Sequence, residues 1–151
     1  MRQVCLSLLF NIPFILFAQG PGGVTTGLSL WFKANSGVTV TGANLTNWAD
    51  QSGSSFDITQ TVTANQPIQN EVGINFNPEI VFDGNSDYLP ISSKNFSGTG
   101  AISTITTFVV FKTGYTGGGY NGNWSFLDFD RSDFFNFYIR GDDGRLAFSY
   151  H

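Results

Sequence analysis

The chain has 151 residues, 16 of them phenylalanine, and only 12% of its residues are charged. Its formal net charge is −4 at pH 7 and its isoelectric point is about 4.6. An apolar fraction of 41% with so few charges argues against an intrinsically disordered chain. The seven basic residues are scattered singly along the sequence, which argues against nucleic acids and anionic membranes as partners.

The first residues differ in composition from the rest of the chain. Arg2 precedes a mostly apolar run over residues 4–17, and Ala18 and Gln19 then lead into a glycine-rich stretch. A positive charge, a short apolar run and a small residue before a polar exit are the features of a secretory signal peptide. A membrane anchor is the alternative, although the run is short for a bilayer-spanning helix.

This leader sets the expected organisation of the chain. We expect residues 1–18 to be a signal peptide, residues 19–27 a flexible exit and residues 28–151 one domain of a length that supports its own core. The only cysteine, Cys5, lies in the leader, so the mature chain would carry no disulfide. The protein would be secreted or held at the cell surface, with no membrane span in the mature chain.

After the leader, apolar and polar residues alternate in short runs between Gly-, Asn- and Asp-rich turns, and no stretch shows sustained helical periodicity. This pattern predicts an all-β domain of antiparallel strands. The predicted strands are residues 28–33, 38–41, 45–50, 56–60, 124–130, 134–140 and 145–150.

Two further stretches complete the predicted sheets. Residues 80–82 and 88–91 are apolar runs on either side of an Asp-Gly turn at residues 83–87, which predicts a β-hairpin. Residues 102–112 form the longest β-run and are apolar on both faces, which predicts a central strand covered on both sides. Pro67 cannot donate to an interior ladder, so its segment is expected at a sheet edge.

Four motifs stand in order along the chain: GLSLWFKA at residues 27–34, WADQSG at 48–53, NPEIVFDG at 77–84 and DYL at 87–89. Together they resemble the laminin-G-like modules of the concanavalin A-like lectin/glucanase superfamily, in the form common in secreted and surface proteins of Bacteroidetes-type bacteria. The resemblance runs from about residue 20 onward. It implies a jelly-roll β-sandwich used for carbohydrate binding, protein binding or adhesion. Family members are longer, so we expect a truncated copy that lacks C-terminal strands.

Three aromatic residues are the candidate ligand-binding residues. Tyr115 and Tyr120 lie in a glycine-rich segment that Trp124 follows directly. Sugar rings pack their C–H faces on aromatic side chains, and a loop of this composition leaves such rings accessible. The alternative is that the three rings fold back over the core.

One turn is a candidate calcium site. Asp83, Asn85 and Asp87 alternate in a glycine-containing turn, and calcium prefers oxygen ligands of this kind. Calcium needs six to eight ligands, however, and no downstream glutamate completes the set. The alternative is an ordinary turn whose aspartate side chains accept hydrogen bonds from backbone N–H groups.

The sequence argues against an enzyme. Retaining glucanases of the resembling superfamily carry a Glu-x-Asp-x-x-Glu motif, whose two glutamates perform the reaction. Here Asp128 and Asp130 would share a strand face, but both motif glutamates are missing, and Glu71 and Glu79 lie elsewhere. The terminal His151 has no partner for a zinc site or a catalytic triad.

The expected function is an exported, non-catalytic carbohydrate-binding or adhesion module. Its partner would be a glycan or a surface protein, and no cofactor is expected apart from possible calcium. Nucleotide binding has no support, because no glycine-rich phosphate loop precedes a helix. Two alternatives stay open: a degenerate or incomplete β-glucanase-type glycoside hydrolase, and a ligand-free structural spacer of a surface protein.

Overall fold

The computed structural model describes residues 20–24, 26–91, 105–115, 123–128 and 135–150. Within these ranges the protein is all-β, as predicted, with two antiparallel sheets and three single-turn 3₁₀ helices. The strands are β1 Val38–Thr41, β2 Asn44–Trp48, β3 Ile58–Thr59, β4 Ile68–Asn70, β5 Glu79–Val81, β6 Asn123–Asp128, β7 Phe135–Arg140 and β8 Leu146–Tyr150. The 3₁₀ helices are Pro21–Gly23, Thr63–Asn65 and Ile74–Phe76. None of the helices described is long and apolar enough to cross a membrane.

The first sheet has five strands, in the order β1-β2-β4-β5 with β3 also paired to β2. Strands β3 and β4 share one edge of β2, since β3 pairs with Asn47 and Trp48 and β4 pairs with Asn44. Leu45 of β2 and Ile58 of β3 are buried. Among the described residues, these two are the buried apolar side chains of the first sheet.

The second sheet is a three-stranded meander, β6-β7-β8. Residues 141–144 form the turn between β7 and β8, and it is closed by a hydrogen bond of 2.9 Å from the Arg140 N–H to the Arg145 carbonyl. Ile139 of β7 is buried. The strands predicted for these segments are confirmed, although Leu146 and Phe148 of β8 are exposed and not turned toward the core. Residues 129, 130 and 134 lie outside the described residues.

The prediction of a covered central strand at residues 102–112 is wrong for the part described. Residues 105–112 have no strand assignment, and the side chains of Phe108 and Val110 are 91% and 89% exposed. Composition indicates a preference for extended backbone, but a strand also needs a pairing partner and a covering layer, which the local sequence does not specify. Residues 102–104 lie outside the described residues.

The predicted hairpin at residues 78–91 is also wrong. Strand β5 pairs with β4, and residues 88–91 form no strand. Instead, the Tyr88 N–H donates to the Asn65 carbonyl at 3.2 Å, and the Tyr88 carbonyl accepts a hydrogen bond of 2.9 Å from Nε2 of buried Gln60. The side-chain amide of Gln60 is buried and therefore requires a hydrogen-bond acceptor, which the Tyr88 carbonyl supplies. After the turn, the chain accordingly contacts residues 60–65 and does not pair with β5.

Two smaller predictions are corrected as well. Strand β4 is paired on both sides, by β2 and β5, so the segment that Pro67 opens is not an edge. Pro67 precedes the strand and contributes only its carbonyl, which accepts the Leu45 N–H at 2.8 Å, so its missing donor costs nothing there. Residues 28–33 form no strand; Lys33 makes only an isolated bridge to Ser36.

Candidate functional site

A cleft of about 370 Å³ lies where the turn after β5 meets the second sheet. Its walls come from three parts of the chain that are far apart in sequence. They are the acidic turn after β5, the irregular segment before residue 115, and the point where the beginning of β6 pairs with the end of β7. The residues that line it are Asp83, Gly84, Thr113, Gly114, Tyr115, Trp124 and Ile139.

Two of the three predicted aromatic residues meet in this cleft. The ring centroids of Tyr115 and Trp124 lie 4.0 Å apart, with the ring planes tilted by 54°. Each ring is also anchored through its polar atom: Trp124 Nε1–H donates to the Gly84 carbonyl at 3.2 Å, and the Tyr115 hydroxyl donates to the Gly141 carbonyl. Both residues are half-buried, and Tyr120 lies outside the described residues.

These contacts are compatible with both a structural role and a ligand-binding role for the aromatic residues. The rings pack against each other and fasten the Gly84 turn to the second sheet, as a structural role requires. They also line an open cleft beside polar groups, as a binding role requires. Aromatic residues with one polar atom bonded and the ring at a cavity wall commonly serve both purposes.

The Asp83 carboxylate organises the acidic turn. Its Oδ1 accepts hydrogen bonds from the N–H groups of Asn85, Ser86 and Asp87 at 2.9, 2.9 and 3.0 Å. Oδ2 of Asp87 in turn accepts the Asp83 N–H at 2.8 Å. The backbone hydrogen bonds from Asn85, Asp87 and Ser86 lower the pKa of Asp83 to about 2, so this wall of the cleft is negative at neutral pH.

The bonding around Asp83 bears on the calcium hypothesis for Asp83, Asn85 and Asp87. The observed hydrogen bonds are those of a turn held by its own carboxylates. In the part of the chain that the structure describes, no group of three or more His, Cys, Asp or Glu residues is placed to hold a metal ion. Calcium binding therefore stays a prediction from the sequence pattern.

The carboxylates considered for catalysis lie on different elements. Asp128 is the last residue of β6 and is exposed, while Asp130 lies outside the described residues. Glu79 is in β5, where its Oε1 accepts a hydrogen bond of 2.9 Å from Asn70 Nδ2. Glu71 is exposed in the turn after β4. Glu79 thus lies in the first sheet and Glu71 in a turn beside it, and neither is on the strand that carries Asp128.

Sequence reasoning missed several residues of the cleft. Thr113 and Gly114 follow the run predicted as a strand at residues 102–112, and Ile139 was predicted only as part of the strand at residues 134–140. The Gly84 carbonyl acts through the backbone, and a backbone acceptor leaves no signature in side-chain chemistry. The Asp-Gly turn is not informative by itself, because turn chemistry explains these residues fully.

No protein-family model, curated protein or solved structure matches this chain. The resemblance to laminin-G-like modules therefore remains a prediction from the four motifs. What the site does has to be argued from the cleft itself.

Proposed function

We propose that this protein is a non-catalytic carbohydrate-binding or adhesion module whose cleft receives the face of a sugar ring. One observation carries the proposal: the Tyr115–Trp124 ring pair lines the same cleft as the Asp83 carboxylate and Thr113. A sugar presents an apolar C–H face and a rim of hydroxyl groups. An aromatic pair suits the face, and a carboxylate and a hydroxyl suit the rim.

The dimensions of the cleft support a small ligand unit. At about 370 Å³ it lies near the lower end of the range of about 300–1,000 Å³ for small-molecule sites. This volume favours recognition of one sugar unit, such as the end of a glycan, over the long groove that a polymer requires. The ionised Asp83 carboxylate disfavours acidic sugars, since two nearby negative charges repel each other.

The proposal includes the family and the location that the motifs imply. We infer a jelly-roll sandwich of the laminin-G-like kind, exported by the leader at residues 1–18 and acting outside the cell. The two antiparallel sheets support the all-β part of this inference. The order of the four sequence motifs supports the family, and the composition of residues 1–18 supports the location.

A glycan array with the whole mature chain tests the function, repeated with Trp124→Ala and, as a matched control, Trp31→Ala. Trp31 is a half-buried tryptophan that does not line the cleft. We expect neutral glycans to bind, and Trp124→Ala to weaken binding by about tenfold or more, as loss of one stacked aromatic ring does. Trp31→Ala should bind like the wild type.

Three outcomes would contradict the proposal. Undiminished binding by Trp124→Ala would exclude the cleft as the site. Failure to bind any glycan would favour the spacer alternative. Release of reducing sugar from β-glucans would favour the glucanase alternative. Repeating the array with calcium and with a chelator measures separately whether glycan binding depends on the metal.

A further inference from the structure

A surface segment of the protein has the composition of a buried strand. Residues 105–111 read ITTFVVF, seven residues without a charge, a glycine or a proline. Phe108 and Val110 are almost fully exposed, and Ile105, Val109 and Phe111 are more than a third exposed. Such a segment has a strong preference for extended backbone and a large apolar surface in water.

The segment continues onto the second sheet. A small cavity of about 160 Å³ is lined by Ile105 and Thr107 on one side and by Phe137 and Phe148 on the other. Leu146 and Phe148 of β8 are themselves 54% and 52% exposed. The exposed apolar side chains of residues 105–111, together with those of Leu146 and Phe148, are called here the apolar patch.

The size of the patch matches half of a stable dimer interface. Its exposed fractions correspond to roughly 600–700 Å² of apolar area, scaled from the 150–250 Å² of a whole aromatic side chain. The largest patch on a typical monomer is about 300–600 Å². Two such patches together would remove roughly 1,200–1,400 Å² from water, within the range of about 1,200–2,000 Å² for specific interfaces.

We propose that the apolar patch is a self-association surface, where residues 105–111 of two copies of this chain pair as β-strands. The segment belongs to neither sheet among the described residues, so its backbone is available for pairing. It carries no charge, so it offers nothing to a charged partner, and two copies meet there without like charges in contact. Short, uncharged, β-branched and aromatic segments of this kind pair readily with identical segments.

The test is analytical ultracentrifugation of the whole mature chain over a wide concentration range. We compare the wild type with Phe108→Lys combined with Val110→Lys. Both side chains are exposed, so the change leaves the folded contacts intact, which far-UV circular dichroism checks. The expected result is concentration-dependent dimerisation of the wild type, weakened about a hundredfold or more by the two lysines.

The matched control is Phe76→Lys, which removes a phenylalanine that is 89% exposed outside the apolar patch. It should associate like the wild type. Two results would overturn the proposal: a wild type that stays monomeric into the millimolar range, or a Phe76→Lys variant that loses association as fully as the double variant. A monomeric wild type that floats with neutral phosphatidylcholine vesicles would assign the patch to a lipid surface instead, and would also overturn it.

Discussion

At the scale of single residues, aspartate side chains hold the irregular parts of this fold. Oδ1 of Asp50 accepts the N–H groups of Trp31 and Ser52, each at 2.9 Å, and Oδ2 accepts the Ser52 hydroxyl at 2.6 Å and the Phe56 N–H at 3.2 Å. Burial acts to raise the pKa of Asp50, but the hydrogen bonds from Ser52, Trp31 and Phe56 outweigh it and lower the pKa below 3.8. One carboxylate thus joins three segments of backbone.

Replacing Asp50 with alanine should therefore lower the free energy of unfolding in a pH-dependent way. Because the pKa is lower in the folded state, the ionised carboxylate stabilises the fold above pH 3.8, and this contribution is lost as the pH falls through the lowered pKa. We expect a cost of about 2 kcal/mol at pH 7, typical of hydrogen bonds to a charged group, which shrinks below pH 3.8. Urea unfolding at several pH values measures it.

The control for this change is Asp57→Ala. Asp57 Oδ1 accepts one hydrogen bond, from the Asp50 N–H at 2.8 Å, so its removal should cost about 1 kcal/mol. Equal costs for the two variants, or a cost for Asp50→Ala that does not change with pH, would contradict the role given to Asp50.

At the scale of elements, the turn before β1 depends on a glycine. Gly37 has a φ of +74°, and its carbonyl accepts the Ala49 N–H at 2.8 Å. A Cβ at this position would lie 3.0 Å from the Ala49 carbonyl oxygen and 2.5 Å from Gln51 Nε2. Gly42, between β1 and β2, has a similar φ of +66° but nothing within 4 Å of its would-be Cβ.

This pair of glycines separates backbone strain from crowding. Gly42→Ala should cost about 1 kcal/mol, the strain of a left-handed alanine. Gly37→Ala should cost about 2–4 kcal/mol, because crowding against Ala49 adds to the same strain. Urea unfolding of both variants at pH 7 provides the comparison. Equal costs would show that the contact with Ala49 relaxes freely.

The local sequence was sufficient to predict those strands and turns whose formation depends mainly on neighbouring residues. Strands β7 and β8 and the turn at residues 141–144 follow from alternation and turn residues alone. Residues 105–112 and 88–91 did not become strands, because pairing and cover come from distant segments such as Gln60. For the cleft, ring chemistry identified Tyr115 and Trp124, whereas the Gly84 carbonyl was unpredictable because every residue has one.

At the scale of the whole molecule, net charge and the apolar patch act against each other. Each copy carries a formal charge of −4 at pH 7, while residues 105–111 carry none. The long-range repulsion between copies therefore opposes an attraction that is confined to the patch. The repulsion disappears as the pH approaches the isoelectric point of about 4.6.

Self-association should consequently tighten as the pH falls from 7 toward 4.6. It should also tighten at pH 7 when salt is added, because salt screens repulsion between exposed charges and does not weaken apolar contacts. Sedimentation equilibrium at three pH values and two salt concentrations measures both trends. Weaker association near pH 4.6, or on addition of salt, would show that ion pairs between copies hold the dimer instead.

The two sheets draw their described strands from separate stretches of the chain, residues 38–81 for the first and 123–150 for the second. A polypeptide that emerges from its N-terminal end therefore releases the described strands of the first sheet before the described strands of the second. Domains and subdomains encoded in this way fold as they appear, and contacts between residues close in sequence form quickly. The order of synthesis is thus also an order in which this protein is able to assemble.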